Sequence, residues 1–121
     1  MCKRGDIYFV DFGRDTSSFK QCGIRPAIVV SNNRANIHSP VVTVVPLTSR
    51  IHKKRSLPTH VLIPRSARCG LKRNSLALAE QVESLDKTRL LDYKGTLTDE
   101  KIMGQITRAL QIQIGAVMSY D

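Results

Sequence analysis

A small antiparallel β-sheet, curled toward a barrel and completed by one C-terminal α-helix, is the fold class this sequence predicts. Three observations predict it. Short runs rich in strand-forming residues recur over the first two thirds of the chain, with no long helical pattern between them. From Thr98 onward the apolar period changes to about every four residues. The 121 residues, 41% hydrophobic and 24% charged, suit one folded domain with one core, spanning residues 1–121.

The elements follow in order. Ile7 to Phe12 reads IYFVDF and is ended by Gly13, giving a first strand. A polar stretch, DFGRDTSSFKQCG, then forms a loop long enough to be a lid or a wall. Ala27 to Val30 is a short apolar strand. Val41 to Leu47 (VVTVVPL) is another, and Pro46, which lacks a ladder donor, predicts a strand end or an edge there. Thr59 to Ile63 (THVLI) and Leu76 to Val82 (LALAEQV) bring the expected strands to five. Asp86 to Leu91 reads as a shorter turn or helix. Ile102, Ile106, Leu110, Ile114 and Val117 or Met118 share one helical face, predicting a helix from Thr98 to about Met118 that lies across the sheet. Thr98 is its expected N-cap, with Asp99 and Glu100 in a first turn that favours negative charge.

Charge narrows the partners. Nineteen Lys and Arg stand against ten Asp and Glu, a formal charge of +9 with histidine neutral. The excess is clustered: Arg50, Lys53, Lys54 and Arg55 form one group, and Arg65, Arg68, Lys72 and Arg73 another. That pattern suits a polyanion such as RNA or an acidic protein segment. Cys2, Cys22 and Cys69 are odd in number and widely spaced, which fits a reducing cytoplasmic setting rather than a disulfide framework. No apolar run has the roughly 18 residues of a membrane span, and the start carries no secretion signal. CxxC and HExxH metal spacings and the glycine-rich phosphate loops are all missing.

Among individual residues Arg25 leads. It stands directly before Pro26, which narrows its backbone toward an extended conformation, and its planar fork can grip two phosphate oxygens. An arginine that merely begins a surface strand reads the same way. Thr48 and Ser49 end the most apolar strand, where hydroxyls can donate to a phosphoryl oxygen, though hydroxyls also end strands for structural reasons. His38, His52 and His60 have no spacing that pairs them, and His60 is as readily a hydrogen-bonded structural residue. Lys20, Gln21, Lys53, Arg68 and Arg73 suit phosphate contact. Asn32 and Gln81 carry amides able to read base edges or tie loops, and Phe19 can stack on an unpaired base or anchor its own loop.

Taken together these segments resemble the MazF/PemK family of toxin endoribonucleases, the toxins of type II toxin–antitoxin pairs. KRGDIYFVDFG at Lys3 to Gly13, GIRPAIVVSN at Gly23 to Asn32 and VVTVVPLTS at Val41 to Ser49 stand in the family's order. LPTHVLI at Leu57 to Ile63 and SLALAEQVESLDKTRL at Ser75 to Leu90 continue the likeness over nearly the whole chain. The resemblance implies an SH3-like curled antiparallel β-barrel of the plasmid-maintenance toxin type with a C-terminal helix, acting as a homodimer. It implies sequence-specific cleavage of single-stranded RNA (mRNA) with no metal or cofactor, leaving 2′,3′-cyclic phosphate and 5′-OH ends. The family's catalytic arginine and threonine fall on Arg25 and Thr48, with Ser49 and His60 as reserve catalytic support. Phe19, Lys20, Gln21, Asn32, Arg50, Lys53, Lys54, Arg55 and Gln81 are the expected RNA contacts. A cognate antitoxin with an acidic C-terminal segment is the implied partner. One departure stands out: many relatives carry a glutamate before the arginine, in the segment corresponding to Phe19-Lys20-Gln21, whereas this chain has Lys20.

The alternative is a non-catalytic toxin or regulatory binding module of the gyrase-poison type, which resembles the same barrel. Arg25 before Pro26 and the PLT segment tilt the reading toward cleavage, because both fit phosphate chemistry.

Overall fold

β3 (Val41–Thr48) organises the sheet, because its apolar residues are buried on both of its faces. The computed structural model describes residues 1–14, 22–51 and 57–118. In these the other strands are β1 (Asp6–Asp11), β2 (Ile24–Val29), β4 (His60–Ile63), β5 (Ser75–Leu78), β6 (Glu83–Asp86) and β7 (Leu90–Thr96). The helices are α1 (Asn33–His38) and α2 (Glu100–Gln113). The sheet runs β4-β5-β3-β2-β1-β7, and β6 pairs with the first half of β3. Every pairing is antiparallel.

The closed curled barrel expected from the sequence is therefore corrected to an open sheet. Its path ends at β4 and β7, and among the described residues no ladder joins those two strands. Pro46 explains part of this. It does not end β3, which runs on to Thr48, but it falls where β3 leaves β6 at Val44 and takes up β5 at Leu47. A residue without an N–H fits at such a changeover. Past it, β5 pairs with β4, which among the described residues has no further strand on its other side. Backbone packing, not pairing, brings that end of the sheet back to β7. A Cβ on Gly70 would lie 2.2 Å from the Lys94 carbonyl oxygen, and one on Gly95 would lie 2.4 Å from that of Cys69. The connection between β4 and β5 thus rests directly on β7, at a distance only two glycines allow.

Alternation along the strands produces two cores. Ile7, Ile28, Val45, Leu47, Val61 and Ile63 pack with Ile106 and Ala109 of α2. Val10, Ala27, Val29, Val42, Val44 and Leu85 pack on the opposite face with Cys2, flanked by Tyr8, Phe12 and Leu90. β6, β7 and α1 go beyond the five strands and one helix expected. The Asp86 to Leu91 segment is a 3₁₀ turn at Lys87–Arg89 linking β6 to β7.

α2 is shorter than the apolar stripe predicts. Asp99, not Thr98, is its N-cap, and its carboxylate accepts from the Lys101 and Ile102 N–H groups at 3.0 and 3.2 Å. A carboxylate answers two of the orphan donors of the first turn and faces the positive helix end. The helix stops before Ile114, and Gly115 with φ +76° turns the chain away. Ile114 and Met118 are consequently exposed. No described helix is long and apolar enough to cross a membrane.

Candidate active site at the ends of β2 and β3

β2 and β3 pair in a register that matches Val29 with Val44, Ile28 with Val45 and Ala27 with Pro46. Arg25 in β2 and Thr48 in β3 each lie two residues past the last of these pairs. Period-two alternation puts both on the face that carries Ala27, Val29 and Val44. Residues 23 positions apart in sequence thereby lie toward the same end of two neighbouring strands.

Arg25 is half-buried, and its Nε donates to the Cys22 carbonyl at 3.1 Å. Among the described residues that is the hydrogen bond of its guanidinium. The anchor uses the inner nitrogen of the fork rather than the two terminal amino groups that match a phosphate. Thr48 is buried, and its Oγ1 accepts the Arg50 N–H at 3.1 Å. That bond occupies a lone pair and keeps the hydroxyl proton as a donor. Ser49 and Arg50 are exposed where the chain leaves β3. A doubly charge-stabilised oxygen could thus be met here by a fixed cation and a hydroxyl donor.

Other sequence-derived candidates lie elsewhere. Phe19, Lys20 and Gln21, and likewise His52, Lys53, Lys54 and Arg55, fall outside the described residues. Asn32 is the N-cap of α1, its Oδ1 accepting the Ala35 N–H at 2.8 Å. It lies seven residues beyond Arg25, on the order of 20 Å along an extended chain. Gln81 sits in a 3₁₀ turn at Ala79–Gln81, directly before β6. His38 is exposed in the last turn of α1.

His60 is engaged on both ring nitrogens. Nδ1 accepts the Leu57 N–H at 3.3 Å, so the proton on Nε2 faces Glu80 Oε2 at 2.9 Å. Glu80 Oε1 accepts from the buried Thr59 hydroxyl at 2.8 Å. This cluster staples β4 to the end of β5. Glu80 was not singled out in the sequence, where an acid closing an apolar strand reads as a solvent-facing residue.

On the opposite face from Arg25 the same strand ends line a cavity of about 210 Å³. Phe9, Pro26 and Ser49 border it, together with Lys72, Arg73 and Lys94. Lys94 Nζ stands 5.0 Å from the centroid of the Phe9 ring, a cation–π distance. Two of the three free thiols are withdrawn from nucleophilic use: Cys2 and Cys69 are buried, and burial pushes the Cys69 thiol above its ordinary pKa. Tyr8, on the Arg25 face, is likewise raised, first by burial and then by the charge of Asp6.

Comparison with known proteins completes the picture. The family model described as "PemK-like, MazF-like toxin of type II toxin-antitoxin system" matches residues 3–114. The chain is 41% identical over 115 residues to the endoribonuclease EndoA of Bacillus subtilis, covering 95% of this chain and 96% of that protein. It is 39% identical over 115 residues to the endoribonuclease MazF of Staphylococcus saprophyticus, covering 95% and 92%. Among solved structures, a mycobacterial endoribonuclease in complex with its cognate antitoxin superposes with a TM-score of 0.75 at 30% identity, covering all of both chains. MazF of Deinococcus radiodurans superposes with a TM-score of 0.76 at 22% identity over 94% of this chain and 96% of its own, a likeness of fold.

Proposed function

The chain belongs to the PemK-like, MazF-like toxins of type II toxin–antitoxin systems, and from that premise we infer how its residues act. It is an endoribonuclease, the toxin of such a pair, and its substrate is single-stranded RNA. The nucleophile belongs to the substrate. The ribose 2′-oxygen attacks the adjacent phosphorus as the bond from phosphorus to the 5′-oxygen breaks. The 2′-hydroxyl gives up its proton and the departing 5′-oxygen gains one, leaving a 2′,3′-cyclic phosphate and a 5′-hydroxyl. No atom in that balance requires a metal.

Arg25 neutralises the phosphoryl oxygens and the charge that builds on them, and Thr48 donates from its hydroxyl to the same group. Preorganised donors of this kind act where charge develops and need no reorganisation during the reaction. The observation that supports the pairing is the β2–β3 register, which carries Arg25 toward Thr48 on one face. Arginine, with a pKa above about 12, is a poor proton acceptor, so its part in this reading is electrostatic. Arg50 at the exit of β3 adds a phosphate contact. Two such sites in a homodimer, and an antitoxin whose acidic C-terminal segment lies along this basic end of the sheet, complete the reading. The charge of +9 supports both an RNA and an acidic peptide as ligands.

The test is cleavage of a long mixed-sequence RNA by purified, antitoxin-free protein in EDTA, beside the R25A and T48A variants. Discrete cuts with cyclic-phosphate ends, lost in both variants, are expected. Folded wild-type protein that cuts nothing would point to a binding poison and a protein target.

A further inference from the structure

The cavity behind Arg25 and Thr48 has the chemistry of a nucleotide subsite. Phe9, Pro26 and Leu71 supply its apolar wall, and Lys72, Arg73 and Lys94 supply charge. No acidic residue is among its described lining residues. It is a built feature rather than a chance gap between side chains. The contact of Gly70 and Gly95 brings the connection between β4 and β5 onto β7, and so sets Lys72 and Arg73 beside Lys94. Pro26 and Ser49 border the cavity, and each is the chain neighbour of one member of the Arg25–Thr48 pair. Adjacent residues of a strand lie 3.8 Å apart at Cα and face opposite sides. A strand of RNA rounding this end of the sheet therefore meets the reacting pair on one side and the cavity on the other.

We propose that this cavity holds one nucleotide flanking the cut, with its base against Phe9, Pro26 and Leu71 and its phosphate on Lys72, Arg73 and Lys94. The proposal rests on the ribonuclease reading and names a substrate contact for it. Single-stranded RNA presents an unpaired planar ring and an anion at every residue, and this wall answers both. An acidic peptide would satisfy the lysines and arginine but makes no general demand for an aromatic wall.

The test uses an oligonucleotide spanning a mapped cut, made uncleavable by a 2′-deoxy sugar at the cut nucleotide. Its affinity is measured by fluorescence anisotropy across a salt series, for wild type, Lys94→Ala, Phe9→Leu and the Lys72→Ala/Arg73→Ala pair. Lys72 and Arg73 are exposed, so the pair variant reports on binding even if Phe9→Leu loosens the core. Phe9→Leu should weaken binding about tenfold. Each lost cation should lower the salt slope by about 0.7. An abasic residue scanned along the RNA should cost wild type about tenfold at one position and cost Phe9→Leu nothing further there. Wild-type affinity and salt slope in every variant, with wild type still cutting RNA, would overturn the subsite and leave the ribonuclease standing. Variants that lose only binding of an acidic antitoxin peptide would overturn it in favour of that partner. A wild type that cuts no RNA would remove the premise itself.

Discussion

The Arg25–Thr48 pair and the His60–Glu80–Thr59 cluster are both polar groupings at strand ends, and the fold uses them in opposite ways. In the cluster each functional atom answers another within the protein. Thr59 donates to one oxygen of Glu80, His60 meets the other, and Leu57 occupies the remaining ring nitrogen. A phosphate arriving there would meet a carboxylate and an imidazole with no nitrogen to spare. At the pair, folding holds Arg25 by its inner nitrogen and Thr48 by a lone pair, so each is fixed through an atom that phosphate does not need. By residue type a histidine beside a glutamate looks the more catalytic. The donors still available after folding point the other way.

The sharpest way to break that contrast is to remove the fixed cation. Arg25→Ala should lower the cleavage rate by about 10³ or more, since even one preorganised donor is worth about 10² to 10³. Arg25→Lys should remain impaired by at least about tenfold, because a point charge cannot replace a fork that is anchored at one nitrogen and bidentate at the others. Single-turnover cleavage of a defined RNA reads both, with thermal denaturation showing that the fold survives. Thr48→Val, which keeps shape and loses the hydroxyl, should cost about 10². Thr48→Ser should recover most of that rate. Full rate in the valine variant with loss in the serine variant would mean that Thr48 acts by packing its methyl group rather than by donating.

The opposite prediction applies to His60. Its side chain is 4% exposed, and His60→Ala leaves a carboxylate oxygen of Glu80 without its donor. Stability should fall by about 1 to 3 kcal/mol, read as a lower midpoint in urea. Cleavage by the folded variant should stay within a few-fold of wild type, with the shape of its pH–rate profile unchanged. A collapse of rate at full stability would move His60 into the catalytic group and erase the contrast.

What was legible in the sequence follows the same division. The strands around Ile7, Ala27 and Val41 could be read because burial on both faces demands near-continuous apolar runs. β7 could not. LLDYKGT is an edge strand with Leu91, Asp92 and Tyr93 exposed, so no alternation marks it. Closure of the barrel failed for a different reason. It depends on which strand ends pair across the whole chain, and here two glycines replace a ladder with a backbone crossing. Arg25 drew attention in the sequence because Pro26 restrains it locally. Glu80 was invisible because its partners stand 20 and 21 residues away.

Asn32 offers the smallest and most discriminating effect. Its amide can read a base edge, but in the fold its oxygen caps α1 through the Ala35 N–H at 2.8 Å. Asn32→Ala should therefore cost about 1 kcal/mol of stability and leave the RNA cut sites unchanged. Asn32→Asp separates the two uses. It keeps an acceptor for the cap and faces the helix N-terminus favourably, so stability should return, while the amide donor that a base edge would need is gone. Mapping the cuts made by both variants decides it. Unchanged cuts in a restabilised Asn32→Asp make Asn32 a structural cap, in the same class as His60. Altered cuts in both variants would place it with the RNA-reading residues despite its distance from Arg25, and would extend the RNA path across the full length of β2.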